Sequence, residues 1–273
     1  MRRVADFGDR EFRQFSELVY QQFGIHLTPA KQAMLQAKLG QLLRRHGLSD
    51  YQELYRLLTG VEQQRYLVDL ADVITTNKTE FFREVGHFDF IRQRMQFILQ
   101  QNPRISRSQE IRAWSAGCST GEEPYTLGMV LLESLPSEIR IRILATDINH
   151  RVLSRAQRGL YPAELEQSVG SHYLHKYFHQ VDDGYQVNDV LRRVTTFRSF
   201  NLVNPLPLRD TVDIIFCRNV MIYFDQRMQE ALLKRFHDAL TPGGLLFIGH
   251  SESLSNRKHA FRYVQPTIYQ RPR

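Results

Sequence analysis

From about Arg94 to the C-terminus, strand-length apolar runs alternate with amphipathic helical segments, and no other feature of the chain limits its fold as much. Residues 111–116, 139–146, 212–217 and 245–248 read as buried strands; residues 122–134, 150–157 and 226–240 read as the helices between them. Residues 164–177 are expected to be helical. Residues 185–187 and 194–200 are expected to be short strands around a turn at Asp182-Asp183-Gly184. Pro242-Gly243-Gly244 is expected to stop the last helix, and residues 261–270 to form a final strand interrupted by Pro266. Such alternation builds a mostly parallel, doubly wound α/β sheet with helices on both faces.

The first quarter of the chain has a different period. Phe12, Phe15, Leu18, Val19 and Phe23 make one helical stripe that ends at Gly24. Thr28-Pro29 is expected to open a second helix, with core face Ala33, Leu35, Leu39, Leu42 and Leu43 and a stop at His46-Gly47. Ser49 is expected to cap a third helix through Leu58, and residues 61–74 to form a fourth. The predicted organisation is a helical domain over 1–75, a connector over 76–93 and an α/β domain over 94–273, without internal repeats.

Apolar residues at 42% and charged residues at 24% are globular values and argue against disorder. No window approaches the roughly 20 apolar residues that span a bilayer. The charged N-terminus lacks the apolar stretch of a secretory signal, so a cytoplasmic protein is expected. Two cysteines, Cys118 and Cys217, cannot form a disulfide framework and read as small apolar fillers. The net charge of +7 favours anionic partners without selecting one. Residues 1–46 carry eight Lys and Arg against four Asp and Glu, a surplus of four. On the second helix Lys31, Lys38 and Arg45 repeat at heptad spacing opposite the leucines, either as a solvated face or as a docking face for an acidic helix.

In open α/β sheets ligands bind beyond the carboxyl ends of the strands. The first strand runs into Gly117-Cys118-Ser119-Thr120-Gly121-Glu122-Glu123, where small residues let a ligand approach the backbone. The second ends at Asp147, where an acidic residue holds a ribose diol. Together they point to an adenosine-containing cofactor. The turn lacks the GxGxxG order, and Glu122 and Glu123 at the helix start would repel a diphosphate but welcome an ammonium group. The methionine end of S-adenosylmethionine carries such a group. GHSES at 249–253 lacks the second glycine of a hydrolase nucleophile elbow, and no His/Cys/Asp cluster suggests a metal.

The motifs become specific when read in order: TTNKTEFFRE at 75–84, WSAGCSTGEEPYTLGM at 114–129, ATDIN at 145–149, NL at 201–202, DIIFCRNVMIYFD at 213–225 and GHSES at 249–253. The chain resembles the CheR family of chemotaxis receptor methyltransferases over nearly its whole length. The resemblance implies a seven-stranded class I methyltransferase sheet with a small β-hairpin insertion near 178–200, preceded by an all-α domain. It also implies transfer of a methyl group from S-adenosylmethionine to receptor glutamates, giving γ-methyl esters and S-adenosylhomocysteine without a metal.

Carried over by motif, Asp147 would take the ribose hydroxyls, Glu122 the methionine ammonium with Glu123 beside it, and Asn201 and Leu202 the adenine. Arg218 and Asn219 would line the methionine side, with Gly117 beneath the cofactor. Asn77, Thr79 and Arg83 would close over it from the connector. Arg83 would position substrate or cofactor, and Tyr223 would stand near the transferred methyl. Lys31, Lys38 and Arg45 would meet the receptor's signalling helices. The short segment His179–Tyr185 lacks the longer glycine-rich loop of members that dock a receptor pentapeptide, so such docking is not expected. A nucleic-acid methyltransferase is the alternative enzyme reading, although no NPPY-like tetrad follows Asp213 and no nucleic acid is expected as a partner. A non-catalytic cofactor-binding module is the alternative of another class.

Overall fold

The computed structural model describes residues 7–206 and 211–273; residues 1–6, where the charged N-terminus begins, and 207–210 lie outside the described residues. Four helices form the N-terminal bundle: α1 (Asp9–Phe23), α2 (Gln32–His46), α3 (Tyr51–Thr59) and α4 (Gln63–Ile74). The stripe from Phe12 to Phe23 is buried against Leu35, Leu39, Leu42 and Leu43 of α2. Its end is set by Gly24 at φ 70°, whose N–H donates to the Tyr20 carbonyl. Three details differ from the sequence reading. Pro29–Lys31 makes a separate 3-10 turn with no cap bond from Thr28, and Ala33 faces solvent. Asp50, not Ser49, caps α3 by accepting the Gln52 N–H.

Two helices follow that were not expected, α5 (Gly86–Gln101) and α6 (Pro103–Ser108), and α5 begins inside the segment read as a connector. It buries Phe88, Ile91, Met95 and Ile98 against the sheet. The chain continues through β1 (Glu110–Ala116), α7 (Glu122–Ser134), β2 (Arg140–Asp147), α8 (His150–Arg158) and β3 (Leu160–Tyr161). Next come α9 (Leu165–Val169), α10 (Ser171–Tyr177), β4 (Phe178–Val181), β5 (Gly184–Val187), α11 (Asp189–Val194) and β6 (Thr195–Ser199). The last elements are β7 (Val212–Cys217), α12 (Gln226–Ala239), β8 (Leu240–Ile248), β9 (Arg262–Gln265) and β10 (Ile268–Gln270).

Seven strands form one sheet in the order β6-β2-β1-β7-β8-β10-β9. It is parallel from β6 to β8, and β10 runs antiparallel to both its neighbours. Alternate residues of the central strands face opposite layers. Ala113, Ile214, Phe216, Leu245 and Phe247 pack beneath α5 and α7, while Trp114, Ile215, Cys217, Leu246 and Ile248 pack against α12. From β1 the chain builds outward to β2 and β6 on one side, then returns to build β7 and β8 on the other. The sheet therefore opens a crevice between the ends of β1 and β7, where a ligand site belongs.

The region 178–200 is not a single inserted hairpin. β4 and β5 pair through a two-residue turn, Val181 opposite Gly184, with β3 on the far side of β5. Residues 195–199 instead pair with β2 in the main sheet. His179 and Gln180 are paired strand residues, so the turn is tighter than the seven-residue reading. The helix expected over 164–177 breaks at Gly170, φ 78°. Pro242-Gly243-Gly244 does not end a helix but lies within β8, whose pairing with β7 slips between Val212 and Ile214. The final strand is a hairpin that reverses at Pro266-Thr267.

One buried carboxylate ties these layers together. Asp213 on β7 accepts from Asn102 Nδ2 at 2.7 Å, Thr241 Oγ1 at 3.1 Å, the Arg112 N–H at 2.8 Å and Arg104 Nε at 2.9 Å, with Arg104 Nη2 on its second oxygen. Removing one partner of a buried ion pair costs about 3–5 kcal/mol, and the partly exposed Arg104 side chain lowers this. Arg104→Met is expected to reduce the unfolding free energy by about 2–3 kcal/mol in chemical denaturation; a loss below about 0.5 kcal/mol would contradict the anchoring role.

Candidate functional site

A cavity of about 570 Å³ opens at the switch point, within the range of small-molecule sites. Three walls meet there: the ends of β1, β2 and β7, the connector at 75–83, and the segment Phe23–Leu27 that follows α1. Gly117, at φ 87°, lies where the chain leaves β1. A Cβ there would stand 2.5 Å from Val220 Cγ2, so only glycine permits this approach. Asp147 is buried at the end of β2. One of its oxygens accepts the Ser119 N–H and the other the Asn149 N–H, both at 2.9 Å. Each oxygen keeps a further lone pair for a ligand hydroxyl. Burial raises its carboxyl above the ordinary aspartate range, and the two backbone donors pull it part of the way back.

Arg218, just beyond β7, is the buried cation of the site. Its Nε lies 3.3 Å from Glu123 Oε2 and 3.5 Å from Glu84 Oε2, and its Nη2 donates to the Arg83 carbonyl at 2.6 Å. Its guanidinium carbon sits 5.4 Å from the Phe88 ring centroid and 5.6 Å from that of Phe216. Nη1 is buried without a hydrogen-bond partner. Glu123 also accepts from Ser115 Oγ at 2.6 Å, and burial pushes its carboxyl up against the pull of Arg218.

The structure brings together on this cavity Lys31, Asn77, Thr79, Arg83, Gly117, Asp147, Asn201, Leu202, Arg218, Asn219 and Tyr223. It does not bring Glu122, whose carboxylate accepts from Thr120 Oγ1 at 2.7 Å away from the lining; Glu123 lines the cavity in its place. Adjacent helical residues point about 100° apart, so only one of the two acids can face inward. Lys38 and Arg45 also lie elsewhere. Lys38 Nζ donates to the Ile74 and Thr75 carbonyls at the end of α4, and Arg45 pairs with Asp69 at 2.5 Å. The heptad stripe is thus largely spent within the bundle, and Lys31 alone of the three reaches the cavity.

The connector is fixed to the sheet by its own bonds. Ser119 Oγ donates to the Asn77 carbonyl at 2.9 Å and the Phe82 N–H to Thr126 Oγ1 at 3.3 Å, while Arg83 Nη1 closes the connector on itself at the Lys78 carbonyl, 2.7 Å away. The helical domain closes the other side. Tyr20 Oη donates to Asp225, Asn201 Nδ2 to the Gln22 carbonyl and the His26 N–H to the Tyr223 carbonyl.

The sequence carries the same message as this geometry. Residues 77–270 match the model of the CheR methyltransferase SAM-binding domain, and residues 10–75 match that of the CheR methyltransferase all-alpha domain. The chemotaxis protein methyltransferase of Borreliella burgdorferi is 37% identical over 266 residues, covering 96% of this chain and 94% of that protein. The one from Escherichia coli K12 is 37% identical over 267 residues, covering 96% and 90%.

The chain belongs to the CheR methyltransferase family.

In this CheR chain, sequence reasoning missed Glu84, Phe88 and the segment Phe23–Leu27. The acid beside Arg83 in the motif was the available signal for the first. Helical spacing from Phe88 to Ile98 was the signal for the second. The fold also brings Glu84, His87 and His250 together, a grouping that the sequence alone does not display. Glu252 of GHSES is structural, accepting the N–H groups of Gly249, Asn219, Val220 and Ile222. Cys118 and Cys217 are buried, and burial pushes both thiols well up. No helix among the described residues is long and apolar enough to cross a membrane.

Burial, followed by the charge of Arg218, pulls the His87 imidazole down to about 3. The unfolded chain protonates this residue below about 6.5 while the folded one does not, so acid favours unfolding across that window. In buffer containing a chelator, wild type is expected to lose about 2 kcal/mol more than His87→Gln between about pH 7.5 and pH 5. Parallel stability profiles for the two proteins would contradict the buried neutral imidazole.

Proposed function

We propose that this protein methylates glutamate side chains on the cytoplasmic signalling helices of chemotaxis receptors, forming γ-methyl esters. The observation that carries this reading is that the cavity walls come from both domains. The cofactor crevice and the helical domain therefore share one cavity, lined among others by Lys31, Ile222 and Tyr223. The names of the curated relatives support the same direction.

The residues suit S-adenosylmethionine. The guanidinium of Arg218 would hold the cofactor carboxylate, Glu123 would face the ammonium, and Asp147 would accept from the ribose diol. Asn77, Thr79 and Gly117 would enclose the cofactor, and Leu202 and Phe200 would flank the adenine. When bound, the cofactor supplies a methyl carbon on a sulfonium. A glutamate oxygen forms the new bond, and the carbon–sulfur electron pair leaves with the thioether.

A glutamate is already ionised at neutral pH, so this chain needs no general base. Its residues act by positioning and by excluding water, worth several kcal/mol together. Arg83 orients the incoming carboxylate without clamping it, and Tyr223 stands beside the reacting carbon. Lys31 offers a positive group to an acidic receptor helix; Lys38 and Arg45 hold the helix that follows it. The two-residue turn between β4 and β5 favours receptor docking without a terminal pentapeptide. A cytoplasmic location goes with this substrate.

Incubation with methyl-tritiated S-adenosylmethionine and a purified receptor signalling domain is expected to label the receptor with base-labile label, and Asp147→Ala is expected to abolish it. Label on tRNA, or on neither substrate, would overturn the reading.

A further inference from the structure

Glu84, His87 and His250 meet beside Arg218, outside the cavity lining. Their ligating atoms all lie within 4.8 Å of one another, although His250 is 163 residues from His87 in sequence. The contacts around His87 favour one tautomer. Thr267 Oγ1 lies 2.6 Å from the Pro266 carbonyl and 2.7 Å from His87 Nε2; when its proton goes to the carbonyl, Nε2 donates to it and carries the ring proton. Nδ1 is then a lone pair. It points at Glu84 Oε2, 3.7 Å away, and neither atom has a hydrogen-bond partner.

Two buried acceptors facing each other repel, and a cation between them removes the repulsion. Two ligands at zinc distance on a tetrahedral ion stand about 3.4 Å apart, close to the observed separation. His87 is 2% exposed and held by Thr267 through its other nitrogen, as metal-bound imidazoles are. His250 is exposed, its ring centroid 5.3 Å from that of His87, and can turn to complete the set. Its backbone N–H already donates to Glu84 Oε1 at 3.0 Å. Arg218 Nε, 3.5 Å from the same Glu84 oxygen, opposes a cation; Glu123 at 3.3 Å keeps it neutralised when Glu84 turns to the metal.

We propose that Glu84 Oε2, His87 Nδ1 and a ring nitrogen of His250 bind a divalent zinc-type ion, with water as the fourth ligand. Two imidazoles and one carboxylate are a borderline donor set that selects such an ion over calcium or magnesium. The ion clips the end of the connector, the first turn of α5 and the loop after β8 together, and so braces the segment that carries Arg83. The proposal stands independently of the receptor reading.

The test is calorimetric titration of the chelator-stripped full chain with zinc chloride. One equivalent is expected to bind saturably and to raise the thermal midpoint. His250→Ala is expected to weaken binding at least tenfold and to abolish the shift, leaving the midpoint of the stripped protein unchanged. Cobalt(II) is expected to give visible d–d bands that the same variant loses. Absence of saturable binding, or zinc binding and cobalt bands unchanged in His250→Ala, would overturn the proposal.

Discussion

The architecture of the site depends on one buried guanidinium. Arg218 sits at the end of a central strand, 2% exposed at its side chain, and a charge in that position is tolerated only beside opposite charge. The first turn of α7 supplies Glu123, and the connector supplies Glu84 and the Arg83 carbonyl. Meeting the electrostatic demand of Arg218 therefore folds the connector over the sheet and creates the cavity roof. The match is incomplete, because Nη1 is left without a partner. Such a donor raises the free energy of the ligand-free protein and adds to the affinity for a carboxylate that reaches it.

The same economy governs the helical domain. Its basic residues suggest a broad docking face, but Lys38 is drawn to the carbonyls that end α4 and Arg45 to Asp69. Half-buried, Lys38 is pushed below the ordinary lysine range by desolvation. What the helical domain contributes is one wall of the cavity, held by the bonds that Tyr20, Asn201 and His26 make across the interface.

The strands and the glycine turn were legible in the sequence because burial on both faces and the need for φ > 0 each leave a local mark. Which of Glu122 and Glu123 faces the ligand was not, since consecutive residues at a helix start differ only in azimuth. Gly243 and Gly244 carry the composition of a helix stop, yet the backbone uses them inside a bulged strand, where Gly243 passes too close to the Gln101 carbonyl for any Cβ. Residues 195–199 looked like half of a hairpin; only tertiary pairing with β2 assigns them to the main sheet. Glu84 and His87 are three residues apart, but only the fold brings His250 to them.

The central claim is that the Arg218 guanidinium holds the cofactor's carboxylate. Calorimetric titration with S-adenosylhomocysteine, comparing wild type with Arg218→Lys, tests it directly, with circular dichroism confirming that both are folded. Lysine keeps the charge but not the fork, so affinity is predicted to fall at least tenfold, about 1.4 kcal/mol. Equal affinity in two folded proteins would contradict the account.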